Sequence, residues 1–161
     1  MTLTFEVGGV NQLKAKLSRF SDYITNWKPL YEELSDDFSD IMREQFASEG
    51  AYASGGWTKL SSKYSEWKEK NFPGRSILVL SGNMQSSLTF KNDSNAIREI
   101  DETTMRLGSK DIKAYWHHFG KGRNPARPIM KLTSNDKTRW VKLMHEFVVT
   151  QTRRAALGTK I

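Results

Sequence analysis

The feature that most constrains the fold is a helical stripe between residues 27 and 47. Large apolar side chains recur there at spacings of three and four, with acidic residues in the early and middle turns. The stripe consists of Trp27, Tyr31, Leu34, Phe38, Ile41 and Gln45, with Met42 and Phe46 beside it. Pro29 fits the first turn, where its missing N–H leaves no hydrogen bond unmade. This spacing predicts a long amphipathic helix over residues 27–47.

Shorter patterns predict the remaining elements. Alternating apolar residues predict a strand near residues 3–7, and a second helical stripe follows over residues 10–24. A Gly-rich stretch at 48–57 is expected to be a flexible loop. Ser61 or Ser62 is suited to cap a short helix, and Thr133 or Ser134 to cap a last helix over 134–149.

The middle of the chain is predicted to be a small antiparallel meander. Residues 96–100 and 104–107 have the pattern of two joined strands, and a further alternating stretch begins at Leu88 and Phe90. The predicted fold is therefore α+β. One domain over residues 1–150 has a small antiparallel sheet packed by the long helix and the C-terminal helix, with extended loops. Residues 151–161 form a basic tail, either flexible or ordered by a partner.

Length and composition exclude several classes of protein. A chain of 161 residues fits one domain with its own core. It has no cysteine, which excludes disulfides, thiol catalysis and cysteine-ligated zinc. No apolar run approaches the roughly 18 residues of a membrane span, and the N-terminus lacks the pattern of a signal peptide. A soluble protein made in the cytoplasm is expected.

Positive charge is concentrated in one part of the sequence. The net charge is +7, and residues 110–142 hold nine basic residues against two acidic ones, so this segment accounts for the whole excess. Such a segment suits an acidic protein surface or a nucleic-acid backbone. A solvated basic loop and helix face is the alternative without a binding function.

No catalytic, cofactor or metal site is predicted. His117 and His118 are adjacent, so on a strand they would point to opposite faces and not share a metal. His145 has no H-E-x-x-H pattern around it, and the chain has neither a G-x-S-x-G elbow nor a P-loop. A small hydrolase or metalloprotein is thus the least favoured of the alternatives.

Nucleic-acid binding is the second alternative. Trp116, His118, Lys121, Arg123 and Arg127 combine aromatic and basic side chains, as in proteins that bind single strands. The sequence has no zinc-finger or RNA-recognition signature and no evident helix-turn-helix. A steep loss of DNA affinity with rising salt would identify this class.

Five short segments occur in an order that resembles the phage virion morphogenesis (tail-completion) family of tailed bacteriophages. They are GWTKL at 56–60, ILVLSGNMQSS at 77–87, LGS at 107–109, HHFG at 117–120 and PARP at 125–128. His118 stands where the family usually has Gln, and Met84 where it usually has Leu. The resemblance covers roughly 100 residues, and the first 45 residues carry little of it.

The resemblance implies a structural assembly protein of the neck, not an enzyme, and no cofactor. Such a protein forms a ring, expected to be a hexamer, at the head-proximal end of the tail. Its implied partners are further copies of itself, the head–tail connector or adaptor, and the tail terminator or tail tube. DNA passes through the lumen without specific binding, and no membrane is involved. The protein is expected in the virion neck after assembly in the host cytoplasm.

The motif residues are the expected interface. They are Trp57, Leu60, Ser81, Gly82, Trp116, His117, His118, Phe119, Gly120, Arg123, Pro125, Arg127 and Pro128. Trp57, Trp116 and Phe119 are interpreted as exposed aromatic contacts. Arg127 is expected to pair with a carboxylate of a neighbouring protein in a bidentate contact. On that interpretation Arg127→Ala weakens assembly and leaves the fold intact.

Overall fold

The computed structural model describes residue 18 and residues 25–157 of the chain. The strand predicted near residues 3–7 and, apart from residue 18, the helix predicted over 10–24 lie outside these residues. The described elements are α1 (Lys28–Ala47), α2 (Ala51–Ser54), α3 (Ser62–Asn71), α4 (Asn83–Thr89), β1 (Ala96–Ile100), β2 (Met105–Ser109), α5 (Ile112–Phe119) and α6 (Ser134–Leu157). The α+β class predicted from the sequence is confirmed.

Helix α1 is the centre of the packing. Its apolar stripe is buried from Leu30 through Leu34, Phe38 and Ile41 to Phe46. The stripe packs against α4 and both strands, and α6 lies against the same helix. Residues from distant segments complete the core, among them Trp57, Val79, Met84, Leu88, Ala114 and Ile129. Burial of this continuous apolar face is the main stabilising contribution to the fold.

The sheet is a single antiparallel hairpin within the described residues. Ala96 lies opposite Ser109 and Ile100 opposite Met105. The turn is fixed by Asp101, whose carboxylate accepts hydrogen bonds from Thr104 and Thr103. These hydrogen bonds lower the pKa of Asp101 to about 2. Both predicted hairpin strands are confirmed, with β2 extending to Ser109.

The prediction of a further strand beginning at Leu88 and Phe90 is wrong, because residues 83–89 form helix α4. Met84 and Leu88 lie four residues apart and are both buried. This spacing places them on one face of a helix, whereas alternation at Leu88 and Phe90 would need a strand. Phe90 instead follows the helix and is exposed.

Two more segments are more ordered than expected. The loop at 48–57 contains the single turn α2, and the Gln45 side-chain oxygen accepts a hydrogen bond from the N–H of Ala53 at 3.0 Å. Helix α6 continues to Leu157, past the predicted end at 149. Its start is held by a reciprocal cap, in which Thr133 Oγ1 accepts from Asp136 N and the Asp136 carboxylate accepts from Thr133 N. Ordering of the tail by a partner stays a prediction.

Candidate functional site

Hydrogen bonds to one carbonyl oxygen of the PARP segment join it to the end of α1 and the residues that follow. Pro128 O accepts hydrogen bonds from Gln45 Nε2 at 3.0 Å, Ser54 Oγ at 3.0 Å and Trp57 Nε1 at 3.1 Å. Gln45 itself is fully buried. Gln45 was placed on the helical stripe but not among the predicted site residues, since one glutamine in a stripe carries no motif.

Trp57 is a core residue, so its interpretation as an exposed interface aromatic is wrong. Only 5% of it is exposed, and its ring meets Phe46 edge-to-face at a centroid distance of 5.4 Å. The backbone of Gly50 passes so close to the indole that a Cβ there would overlap the ring. The indole N–H donates to Pro128 O and is therefore not available to donate to a partner.

Arg127 is likewise internal, contrary to the predicted pairing with a neighbour's carboxylate. It is 4% exposed, and its guanidinium donates from Nε to Thr58 O at 2.7 Å and from Nη2 to Lys59 O at 3.2 Å. Its backbone N–H donates to His117 O at 2.7 Å. Burial lowers the pKa of Arg127 from its ordinary value. One residue therefore joins the GWTKL, HHFG and PARP segments.

His117 and His118 lie on helix α5, and the strand assumed for them is wrong. Asp111 caps the helix by accepting from Lys113 N at 2.9 Å, and Gly120 ends it with a positive φ of 67°. His118 Nδ1 accepts from the N–H groups of Ile129 and Met130 at 3.2 and 3.3 Å. Burial lowers the pKa of His118, which agrees with a neutral ring acting as an acceptor.

Neither histidine is placed for metal binding. The residues described include no group of three His, Asp or Glu side chains close enough to hold an ion. Burial and then the charge of Arg127 lower the pKa of His117, whose buried Nδ1 has no hydrogen-bond partner among the described residues. His145 lies apart from this pair, on α6.

Gly120 permits the closest approach between two motif segments. A Cβ at this position would lie 2.7 Å from the backbone N of Ala126, far inside van der Waals contact. The end of α5 can therefore touch the PARP segment only because residue 120 has no side chain. Gly122 has the same φ of 67° but faces open space.

Helix α5 presents three different faces. Successive residues of a helix are rotated by about 100°, so residues three and four apart share a face. Ala114 and His118 face the core, and Lys113 and His117 line a cleft. The third face carries what we call the aromatic stripe: Ile112, Tyr115, Trp116 and Phe119. Trp116 is 44% exposed and Phe119 58%, as expected for two of the predicted interface aromatics.

A cleft of about 710 Å³ lies between α3 and α5. Seven of the predicted interface residues line it, namely Leu60, Ser81, Gly82, His117, Arg123, Pro125 and Arg127. Its cationic groups are Lys59, Lys68, Lys113, Arg123 and Arg127, and the one acidic residue of its lining is Asp111. Lys59, Lys68 and Lys113 were not among the predicted interface residues, although Lys113 belongs to the basic segment 110–142. Each lies in a different segment, and only the fold brings the three together.

The structure thus sorts the predicted interface into three groups. One group lines the cleft, and a second, Trp116 and Phe119, belongs to the aromatic stripe. Trp57, His118, Gly120 and Pro128 hold the motif segments to one another. For the first two groups, apart from the buried Arg127, a contact with a partner stays a prediction.

Comparison with known proteins gives one result. The model of the phage virion morphogenesis family matches residues 9–148, which is far more than half of the chain. No curated protein and no solved structure matches it. Among the described residues, no helix is both long enough and apolar enough to cross a bilayer.

Proposed function

We propose that this chain, which belongs to the phage virion morphogenesis family, is a neck protein that completes the tail. Membership of the family gives it a role in virion assembly and makes it a virion-associated protein. In the proposal, copies of the chain form a ring of about six subunits at the head-proximal end of the tail. The ring joins the tail tube or its terminator to the head–tail connector, and it has no enzymatic activity.

The observation that carries the proposal is the exposed aromatic stripe of α5. Four large apolar residues at positions i, i+3, i+4 and i+7 of one helix face away from the core. Tyr115 and Phe119 already pack on each other, at a centroid distance of 5.1 Å. A contiguous exposed apolar surface of this kind marks a protein interface more often than an isolated exposed residue does.

A ring requires two different surfaces on each copy, because a closed head-to-tail interface joins unlike patches. A second aromatic cluster lies on and just after α3, where Tyr64 stacks on Trp67 and Trp67 contacts Phe72. Both α3 and α5 line the cleft, so the two clusters flank it. In the proposed ring, the stripe of one copy packs on the α3 cluster of the next.

The lumen of the ring is the path of the DNA in this proposal, without sequence-specific contacts. The basic segment 110–142 is assigned to a protein contact. Several of its charges line the cleft instead of forming an open strip, and Arg139 is already paired with Asp37 and Asp136. A strongly basic lumen would also retard the passage of DNA.

Co-sedimentation with purified tail tubes of the same phage tests the proposal. The wild-type chain is expected to sediment with the tubes, and Trp116→Asp to lose at least about tenfold in binding, because a charge is placed within the stripe. Val141→Asp is the control, since Val141 on α6 is an apolar residue that is more exposed than Trp116, at 64% against 44%. Equal loss in both variants, or none in Trp116→Asp, would contradict the role of the stripe.

A further inference from the structure

We propose that the cleft between α3 and α5 binds an extended acidic segment of a partner protein, with carboxylates on its cationic rim and apolar side chains on its floor. The aromatic stripe lies on a different face of α5 from the cleft residues Lys113 and His117. Tyr64 of the α3 cluster also lines the cleft, so cleft binding is measured on the isolated chain, where it can succeed or fail independently of ring formation.

The first argument is an imbalance of charge. Five cationic side chains line the cleft against Asp111, whose carboxylate already caps α5 through Lys113 N. Arg123 and Lys59 are exposed at the rim, and neither forms an ion pair or side-chain hydrogen bond within residues 25–157. The rim thus offers cations that no described side chain neutralises.

The second argument concerns the buried cations. Lys68 is 4% exposed and donates from Nζ to the carbonyl oxygen of Ser76 at 2.5 Å. Arg127 also donates to carbonyl oxygens only. Neither belongs to an ion pair in the part of the chain that the structure describes, although Glu49 lies near enough to favour the charged form of Lys68. Because only carbonyl oxygens receive their hydrogen bonds, these two charges add to the positive potential of the cleft that the exposed rim cations present to a partner.

The third argument is the shape and polarity of the floor. Leu60, Leu78, Val79, Met84 and Pro125 form the apolar part of the cleft lining, which we call the floor. The volume of about 710 Å³ lies within the range of about 300–1,000 Å³ usual for ligand clefts. A peptide that alternates acidic and apolar side chains satisfies both parts, because successive side chains of an extended chain point to opposite sides. A nucleic-acid backbone would use the cations but leave the apolar floor unmatched.

Fluorescence anisotropy with three labelled probes tests this inference. The probes are a peptide of repeated Glu-Leu, its Gln-Leu counterpart and a single-stranded oligonucleotide of equal charge. We expect the Glu-Leu peptide to bind at least about tenfold more tightly than the other two probes. Only this peptide has both carboxylates for the cationic rim and apolar side chains for the floor. Equal binding of the two peptides, or tighter binding of the oligonucleotide, would overturn the proposal.

Matched variants locate the binding in the cleft. Arg123→Gln and Lys59→Gln are expected to weaken Glu-Leu binding by about five- to tenfold each. Lys121→Gln and Lys63→Gln are the controls, because these exposed lysines lie two and four residues away in the same segments but do not line the cleft. All four positions are exposed, so thermal unfolding should be unchanged. An equal loss in the controls would show attraction by net charge alone and would overturn the proposal.

Discussion

At the residue scale, the guanidinium of Arg127 supports the site through two carbonyl oxygens of another segment. Arg127→Ala would leave those carbonyls unpaired and remove a buried side chain. We expect the free energy of unfolding to fall by ~2–4 kcal/mol, with Arg127→Lys between it and wild type. Urea denaturation measures this, with the exposed Arg123→Ala as control, expected within about 0.5 kcal/mol of wild type. If Arg127→Ala were as stable as wild type but defective in assembly, the result would contradict the structural role and support the partner contact inferred from the sequence.

His118 makes a second residue-scale prediction, about pH. Its folded-state pKa is lowered by burial from the ordinary value of 6.5, so the unfolded chain binds a proton more readily. Stability is therefore fully present above about pH 6.5 and is lost as the pH falls from there toward the lowered folded pKa. His118→Gln keeps an acceptor for Ile129 N and Met130 N but does not titrate. Urea denaturation between about pH 5 and 7.5 should show a weaker pH dependence in this variant, and an unchanged dependence would contradict the assignment.

At the element scale, sequence periodicity predicts long helices well and short ones poorly. The stripe of α1 repeats over several turns, and the helix was placed within a residue of its observed start. Helix α4 has only seven residues, and the spacing of Leu88 and Phe90 at its end gives the alternating pattern of a strand. Helix α5 depends on the Asp111 cap and on Gly120 as much as on its apolar residues. The cleft has no single sequence signature, since Lys59, Lys68 and Lys113 meet only through packing.

The end of α5 gives a prediction with an internal control. Gly120→Ala places a Cβ on a left-handed backbone and also against the backbone N of Ala126. Gly122→Ala has the same φ of 67° but no neighbour within 4 Å. We expect Gly122→Ala to cost about 1–2 kcal/mol of unfolding free energy, and Gly120→Ala at least about 1–3 kcal/mol more. Thermal or urea unfolding of the two variants measures the difference. Equal losses would show that the close approach to the PARP segment contributes nothing.

At the scale of the whole molecule, the described residues carry two surfaces on segments that are joined by hydrogen bonds and close packing. The aromatic stripe faces outward from α5, and the cationic cleft opens beside it toward α3. Arg127, Pro128 and Gly120 hold the segments that form both surfaces. If both proposals hold, one copy contacts a like subunit and a different, acidic protein at the same time. The family match covers the same part of the chain.

The most direct test of the central claim is negative-stain imaging of purified tail tubes after incubation with the protein. A ring at the head-proximal end should give extra density at one end of each tube only. End-on class averages should show about six-fold symmetry, as expected for a closed head-to-tail ring. Trp116→Asp should leave the ends bare and Val141→Asp should not. Protein distributed along the tube wall, or tube ends unchanged by the wild-type chain, would contradict the account.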